Sequence, residues 1–264
     1  MIENIAEQDV LVGRLKARHR PMTLGFCNAH SVNLTWEGSD SAKRFLDLDV
    51  ILRDGKGMEI LYSKAKLKPG LNLNGTDFIP LLLEACKGQR VAIYGTRDPW
   101  LTKAAKRLTA MGHDVVDTHD GFKDAAFYTD RITALQKTPE IVLLGMGMPK
   151  QEMVAHAITD ALGNNPALVV CGGAIIDFIS GRHPRAPWIM RRLGLEWLFR
   201  LSREPIRLFG RYVQGNTLFL YRAKVIAARL ATTGQLPAQA LRPTGPFLGG
   251  KDQAPLLPLK RRTI

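Results

Sequence analysis

The sequence predicts an α/β fold, an open and mostly parallel sheet with helices on both faces, followed by a separate basic helical appendage. Three observations carry that prediction. Short apolar runs with strand character recur between residues 22 and 171, and the one at 141–144, β-branched and without polar interruption, reads as a strand buried on both faces. Between them lie segments with apolar residues three or four apart, the helical crossovers that parallel strands require. The third observation is charge. Residues 1–181 hold 21 of the 37 Lys and Arg and 21 of the 24 Asp and Glu, so the whole excess of +13 falls in 182–264.

Taken in order, the strand-like runs are 22–26, 48–52, 91–94, 115–117, 141–144 and 168–171. Helical spacing falls on 41–46, 57–65, 77–86, 99–111, 125–135 and 150–162. The body ends near Gly181. Beyond it, 188–202 sets Met190, Leu193, Trp197, Leu198 and Leu201 on one stripe, with arginines elsewhere on the surface. Pro205 opens a second segment in which Ile206, Phe209 and Val213 align, and 218–230 forms a third. From Thr232 onward Gly, Pro, Gln and the terminal Lys260, Arg261 and Arg262 read as a disordered basic tail. The expected division is therefore 1–181, 182–231 and 232–264.

Several classes are excluded. An apolar content of 45% is ordinary for a globular core, so global disorder is not expected. Cys27, Cys86 and Cys171 are too few and too scattered for a disulfide framework or a zinc site, which fits a reducing cytoplasm. The first twelve residues lack the apolar core of a signal peptide, and no apolar stretch reaches the ~20 residues of a spanning helix.

Ligands of open α/β sheets bind at the carboxyl ends of the strands. There the sequence places Asn28 and His30, then Asp54 flanked by Gly55 and Gly57, then Gly95, then Gly145 through Glu152, then Gly172 and Gly173. Gly145 and Gly147 let the backbone approach a ligand, and Pro149 suits the first position of the next helix, where free N–H groups favour phosphate. Lys150 and Gln151 follow, Gln151 either a plain first-turn residue or a ligand contact. Asp54 is either a general base with a pKa raised by burial or an N-cap. Asn74, Gly75, Thr76 and Asp77 form a turn with Thr76 as cap, or else contact a sugar or phosphate. Asp47 and Asp49 precede their strand and so lie at the amino end of the sheet. His30 alone among the histidines considered follows a strand directly, and His119, His156 and His183 show no metal spacing. Arg182, Arg185, Arg191, Arg192, Arg200, Arg203, Arg207 and Arg211 fit a membrane-surface module, a diphosphate clamp or nucleic-acid binding, although no nucleic-acid reading module is visible.

The ordered set resembles the WecG/TagA/CpsF family of bacterial glycosyltransferases. The resemblance rests on residues 28–30, 54–57, 74–77, 145–152, 172–177, Gly181, 185–187, 193–200 and 203–205. It implies a Rossmann-like sheet and transfer of a sugar from a UDP-sugar to an undecaprenyl-diphosphate-linked saccharide, with inversion and without metal or other cofactor. Asp54 corresponds to the proposed base and Gln151 to a residue near the sugar. Arg200 and Arg207 fall in an appendage that closes over the site and binds the membrane. Asn28, His30, Asn74, Thr76, Asp77, Gly95, Gly145, Gly147, Pro149, Lys150, Gln151, Gly172, Gly173 and Arg185 complete the expected substrate site. The partners implied are the UDP-sugar, the lipid-linked acceptor and an anionic membrane on its cytoplasmic side, with no nucleic acid and with room for a homo-oligomer. Two positions depart from the family pattern, Phe26 where Thr is frequent and Asn72 where Arg is common. The Asn-Ala-His form at 28–30 points to glucose transfer in exopolysaccharide synthesis, the alternative being N-acetylmannosamine or its uronic acid. The rival from another class is a non-catalytic nucleotide- or nucleic-acid-binding protein. A dehydrogenase is disfavoured because no Gly-x-Gly-x-x-Gly opens a helix after the first strand.

Overall fold

Along the three central strands successive side chains enter opposite apolar layers. Val91, Ile93, Ile141, Leu143, Leu168 and Val170 enter one layer, and Ala92, Tyr94, Val142, Leu144, Val169 and Cys171 enter the other. A strand covered on both faces has no solvent side for polar residues, which explains the unbroken runs. The computed structural model describes residues 1–233 apart from Glu37, with the side chains of Ser41, Arg207 and Thr233 also outside the described part.

The strands are β1 (Met22–Cys27), β2 (Val50–Arg53), β3 (Arg90–Gly95), β4 (Asp114–Asp120), β5 (Ile141–Leu144) and β6 (Leu168–Cys171). They form one parallel sheet in the order β2-β1-β6-β5-β3-β4. The helices are α1 (Ile5–Lys16), α2 (Ala29–Trp36), α3 (Asp40–Leu46), α4 (Gly55–Lys64), α5 (Gly75–Ala85), α6 (Trp100–Ala110), α7 (Ala125–Thr133), α8 (Lys150–Leu162) and α9 (Ile175–Ser180). The appendage adds α10 (Trp188–Arg192), α11 (Glu196–Arg203), α12 (Pro205–Phe209), a π-helical turn (Gly210–Gln214) and α13 (Gly215–Thr233). One face of the sheet is covered by α1, α5, α6 and α9 through Leu15, Ile79, Leu82, Leu108 and Ile176. The other is covered by α3, α7 and α8 through Phe45, Tyr128, Ile132 and Ile158. The expected fold class holds: a parallel sheet with helices on both faces, Rossmann-like in architecture. Outgoing connections diverge between β3, which leads to β4, and β5, which leads to β6, and a crevice opens at such a switch point.

All six expected strands are present. Strand β2 starts at Val50 rather than Leu48, because Asp49 turns its side chain into the sheet end. Its Oδ2 accepts from Thr23 N at 2.8 Å and Thr23 Oγ1 at 2.9 Å, the amino-end placement expected from the sequence. Helices α1, α2 and α9 were not expected. In α1 only Val12 and Leu15 are buried while Ile5 and Val10 face solvent, so its apolar periodicity is broken.

The appendage corrects two expectations. The stripe over 188–202 is cut in two at Gly194, whose φ of +72° is a left-handed conformation that ends α10. The larger correction is α13, which belongs to the body rather than to an exposed membrane module. Phe219, Ala223 and Ile226 are at most 3% exposed and pack on Val32 of α2 and Met58 of α4. Arg222 donates to the Asn33 carbonyl at 2.8 Å, and Asn33 Nδ2 donates to the Gly215 carbonyl at 2.7 Å. The exposed apolar side chains concentrate instead on α10–α12, with Trp188, Ile189, Leu193, Ile206 and Phe209 all more than half exposed. Among the described residues no helix is long and apolar enough to cross a membrane. The tail expected over 232–264 lies outside the described residues from Gly234 onward, and Thr232 and Thr233 finish α13.

Candidate active site

Asp54 follows β2 at the N-cap position of α4, held by its N–H donating to the Cys27 carbonyl at 2.8 Å. Its side chain does not cap the helix. The carboxylate turns instead toward β1, where Oδ2 accepts from Asn28 Nδ2 at 3.2 Å. Asn28 Oδ1 accepts from the backbone N–H groups of His30 and Ser31 at 3.0 and 3.1 Å, capping α2. A backbone N–H only donates, so the Asn28 carbonyl must face α2 and its NH₂ must face Asp54. Of the two sequence readings of Asp54, the capping one loses its hydrogen bond. Burial pushes the Asp54 pKa up, against the Asn28 hydrogen bond and the fields of Arg211, Arg200 and Arg53. A half-buried carboxylate with a raised pKa, ringed by cations, suits proton abstraction.

The loop carrying Asp54 is braced from residues 70–72. Arg53 donates to the carbonyls of Leu71 at 3.1 Å, Gly70 at 3.1 Å and Gly55 at 3.3 Å. Asn72 Oδ1 accepts from Gly55 N at 2.7 Å, so this departure from the family pattern still serves the loop.

The glycines divide into two kinds. A Cβ on Gly95 would lie 2.5 Å from Ile176 Cδ1, one on Gly145 2.7 Å from the same atom, and one on Gly172 would collide with Ile175. These three let α9 approach the strand ends. The N–H groups of Gly145 and Gly172 are also used, donating to the Tyr94 carbonyl at 2.7 Å and the Leu144 carbonyl at 2.9 Å. Gly55, Gly147 and Gly173 are the other kind, with φ of +87°, +78° and +58° and open space where a side chain would stand. Of the glycines expected at the ligand turns, Gly147 and Gly173 leave open space, whereas Gly95, Gly145 and Gly172 are needed by the approach of α9. Pro149 occupies the N-cap of α8 with φ of −90°, one position before the first helical residue expected for it. Lys150 Nζ donates to the Gly121 carbonyl at 2.8 Å, linking this turn to the end of β4. Gln151 is buried, and its amide spans from Gly173 N to Glu152.

At 74–77 the cap is Asn74, not Thr76. Asn74 Oδ1 accepts from Asp77 N at 3.0 Å and Thr76 Oγ1 at 2.7 Å, because α5 starts at Gly75, which makes Asn74 its N-cap and places Thr76 inside the first turn. Arg185 ties the appendage to this cap, donating to the Thr76 carbonyl and to Asp77 Oδ1, each at 2.7 Å.

The appendage brings two arginines toward the carboxylate. Arg200 of α11 lies 5.7 Å from the Phe178 ring centroid and acts on Asp54 through its field. Arg211, in the π-helical turn, acts on both Asp54 and His30. Arg207 lies on α12, but its side chain is outside the described residues. Sequence reasoning left Arg211 among the general basic residues, since its field on Asp54 and His30 depends on tertiary placement of the π-helical turn that carries it. His30 stays neutral: burial, then Arg211, push its pKa down to about 4 from 6.5. The folded state therefore resists protonation, and stability falls as pH drops from 6.5 toward 4. His30→Gln should raise the melting temperature relative to wild type at pH 4.5 and lose that advantage at pH 7.5. Equal differences at both pH values in a calorimetric scan would refute the neutral assignment.

The carboxyl edge of this parallel sheet gathers a braced carboxylate, open glycine turns and arginines of the appendage, the place where α/β proteins bind ligands. The chain belongs to the glycosyl transferase WecG/TagA/CpsF family, which it matches over residues 2–234. It is 32% identical over 166 residues to an N-acetylglucosaminyldiphosphoundecaprenol N-acetyl-beta-D-mannosaminyltransferase of Bacillus spizizenii. That match covers 60% of this chain and 62% of the relative, less than two thirds of its length.

Proposed function

We propose that this protein is an inverting glycosyltransferase that moves a sugar from a UDP-sugar to a polyprenyl-diphosphate-linked saccharide at the cytoplasmic membrane face. The observation that carries this reading is Asp54, freed from capping, oriented by Asn28 and placed under arginines of the appendage. Asp54 takes the proton of an acceptor hydroxyl as its oxygen bonds to the anomeric carbon. The bond from that carbon to the diphosphate breaks, and UDP leaves with the electron pair. Arg200 and Arg211 stabilise the charge that develops on the departing diphosphate, a role guanidinium geometry suits and one that needs no metal. Gly147 and Gly173 give the diphosphate close access to the backbone.

The donor reading moves with the relative. Residues 28–30 suggested glucose, but the relative's name, an N-acetylmannosaminyltransferase acting on N-acetylglucosaminyldiphosphoundecaprenol, favours N-acetylmannosamine and a diphosphoundecaprenol-linked N-acetylglucosamine acceptor. The exposed apolar residues of α10–α12, interleaved with exposed Arg191, Arg192 and Arg203, support docking on an anionic membrane.

UDP release decides between donors. With a lipid-diphosphate-linked N-acetylglucosamine acceptor, UDP-N-acetylmannosamine should turn over at least tenfold faster than UDP-glucose. Faster turnover of UDP-glucose on a lipid-linked glucose would restore the glucose reading, and no turnover with any UDP-sugar would overturn the activity.

A further inference from the structure

Two of the open turns at the carboxyl edge are joined by a short buried hydrogen-bond chain. Gln151 and Glu152 lie in the first turn of α8, 4% and 1% exposed. Gln151 Oε1 accepts from Gly173 N at 3.0 Å. Because that N–H only donates, the carbonyl end of the Gln151 amide must face Gly173 and its NH₂ must face Glu152. There Glu152 Oε1 accepts at 2.7 Å, while the buried Oε2 has no hydrogen-bond partner. The main chain of Gln151 is fixed as well, its N–H donating to the Gly147 carbonyl at 3.1 Å and its carbonyl accepting the Cys171 thiol at 3.7 Å.

We infer that Glu152 is a positioning residue for the transfer site. Its Oε1 selects the orientation of the Gln151 amide, and through that amide it holds the Gly172–Gly173 turn against the Gly145–Gly147 turn. The inference rests on the proposed reading in one respect, that the donor diphosphate lies between those turns. A Cβ on Gly145 would stand 3.1 Å from the Gly173 carbonyl oxygen, so the turns already touch, and a loose Gly173 would change the cradle.

The chain also has a protonation state. A buried carboxylate with one oxygen unserved is costly, and burial pushes the Glu152 pKa up to about 7. The Cys171 thiol of β6 faces it, itself pushed well up by burial and then by the Glu152 charge. Among the described residues, β1, α3 and α7, which also border α8, form no ion pair with it; the Gln151 hydrogen bond, and after it the backbone N–H of Glu152 in the first turn of α8, favour its charged form. The neutral acid carries its proton on Oε2 and leaves Oε1 free to accept. When that proton leaves, a negative charge appears beside turns that receive a diphosphate, so donor affinity falls as pH rises through neutrality.

The experiment uses the full chain and two readouts, the Gly173 amide resonance and the calorimetric affinity for UDP, each between pH 6 and 8.5. Glu152→Gln reproduces the neutral acid, its carbonyl accepting from Gln151 and its NH₂ standing where the protonated Oε2 does. In the wild type the Gly173 resonance should shift with a midpoint near pH 7, and UDP affinity should fall about tenfold relative to the variant, the effect of one buried charge near a diphosphate. In the variant the Gly173 shift should vanish. A Gly173 resonance that does not titrate in the wild type overturns the inference, and so does one that titrates equally in Glu152→Gln. The wild-type titration alone decides if the variant does not fold. If Gly173 titrates but UDP binds at no pH, the positioning role stands and the proposed function falls.

Discussion

Asp54→Asn is expected to lower sugar transfer by about 10³-fold while leaving UDP affinity within about twofold of wild type, the signature of a lost general base. The substitution keeps the shape of the side chain and an oxygen able to accept from Asn28, so the cap of α2 and the loop braced by Arg53 and Asn72 survive. It removes only the group that takes the proton. The pH profile makes the assignment sharper. Burial raises the Asp54 pKa, so wild-type kcat should fall on the acid side at a pH above the ordinary carboxylate range, as the base becomes protonated. In Asp54→Asn that limb should be absent from the residual rate. Transfer within tenfold of wild type would remove Asp54 from the chemistry, and single-turnover kinetics with a saturating donor is the measurement that decides.

The carboxylate was legible in the sequence because its position after a buried run put it at the sheet's carboxyl edge. Its role was not, because an aspartate before a helix reads equally as a cap, and only the turn of its side chain toward Asn28 separates the two. Glycine showed the same limit. Gly145 and Gly147 are two residues apart in the same turn, yet one is small to admit Ile176 and the other takes a left-handed backbone that opens to solvent. No local pattern distinguishes a glycine needed by a neighbouring helix from one needed by a ligand. The sheet itself was plain because burial on both faces leaves no choice of residue. Helix α2 escaped notice because its buried face includes Ser31, Asn33 and Thr35, polar residues whose partners lie far along the chain or within the helix turn.

The third segment of the appendage was the least legible part, and it gives the largest expected effect on stability. An apolar stripe with arginines describes a membrane-surface helix and a docked helix alike; what separates them is the partner surface, built by α2 and α4 far earlier in the chain. Phe219 is 1% exposed and rests on Gly57, where an added Cβ would come within 3.3 Å of its ring. Phe219→Ala should therefore destabilise the fold by about 3–5 kcal/mol, from lost burial and the cavity left against Val32 and Met58. At roughly 2–4 °C per kcal/mol for a domain of this size, the melting temperature should fall by about 10 °C. Ile206→Ala, at a side chain 96% exposed, should leave it unchanged within about 1 °C. The pair separates the two faces of the appendage. Ile206→Ala should weaken retention on anionic vesicles without touching stability, whereas Phe219→Ala should loosen α13 and, with it, the π-helical turn that aims Arg211 at Asp54. A Phe219→Ala variant that melts within 2 °C of wild type would show that α13 is not part of the body.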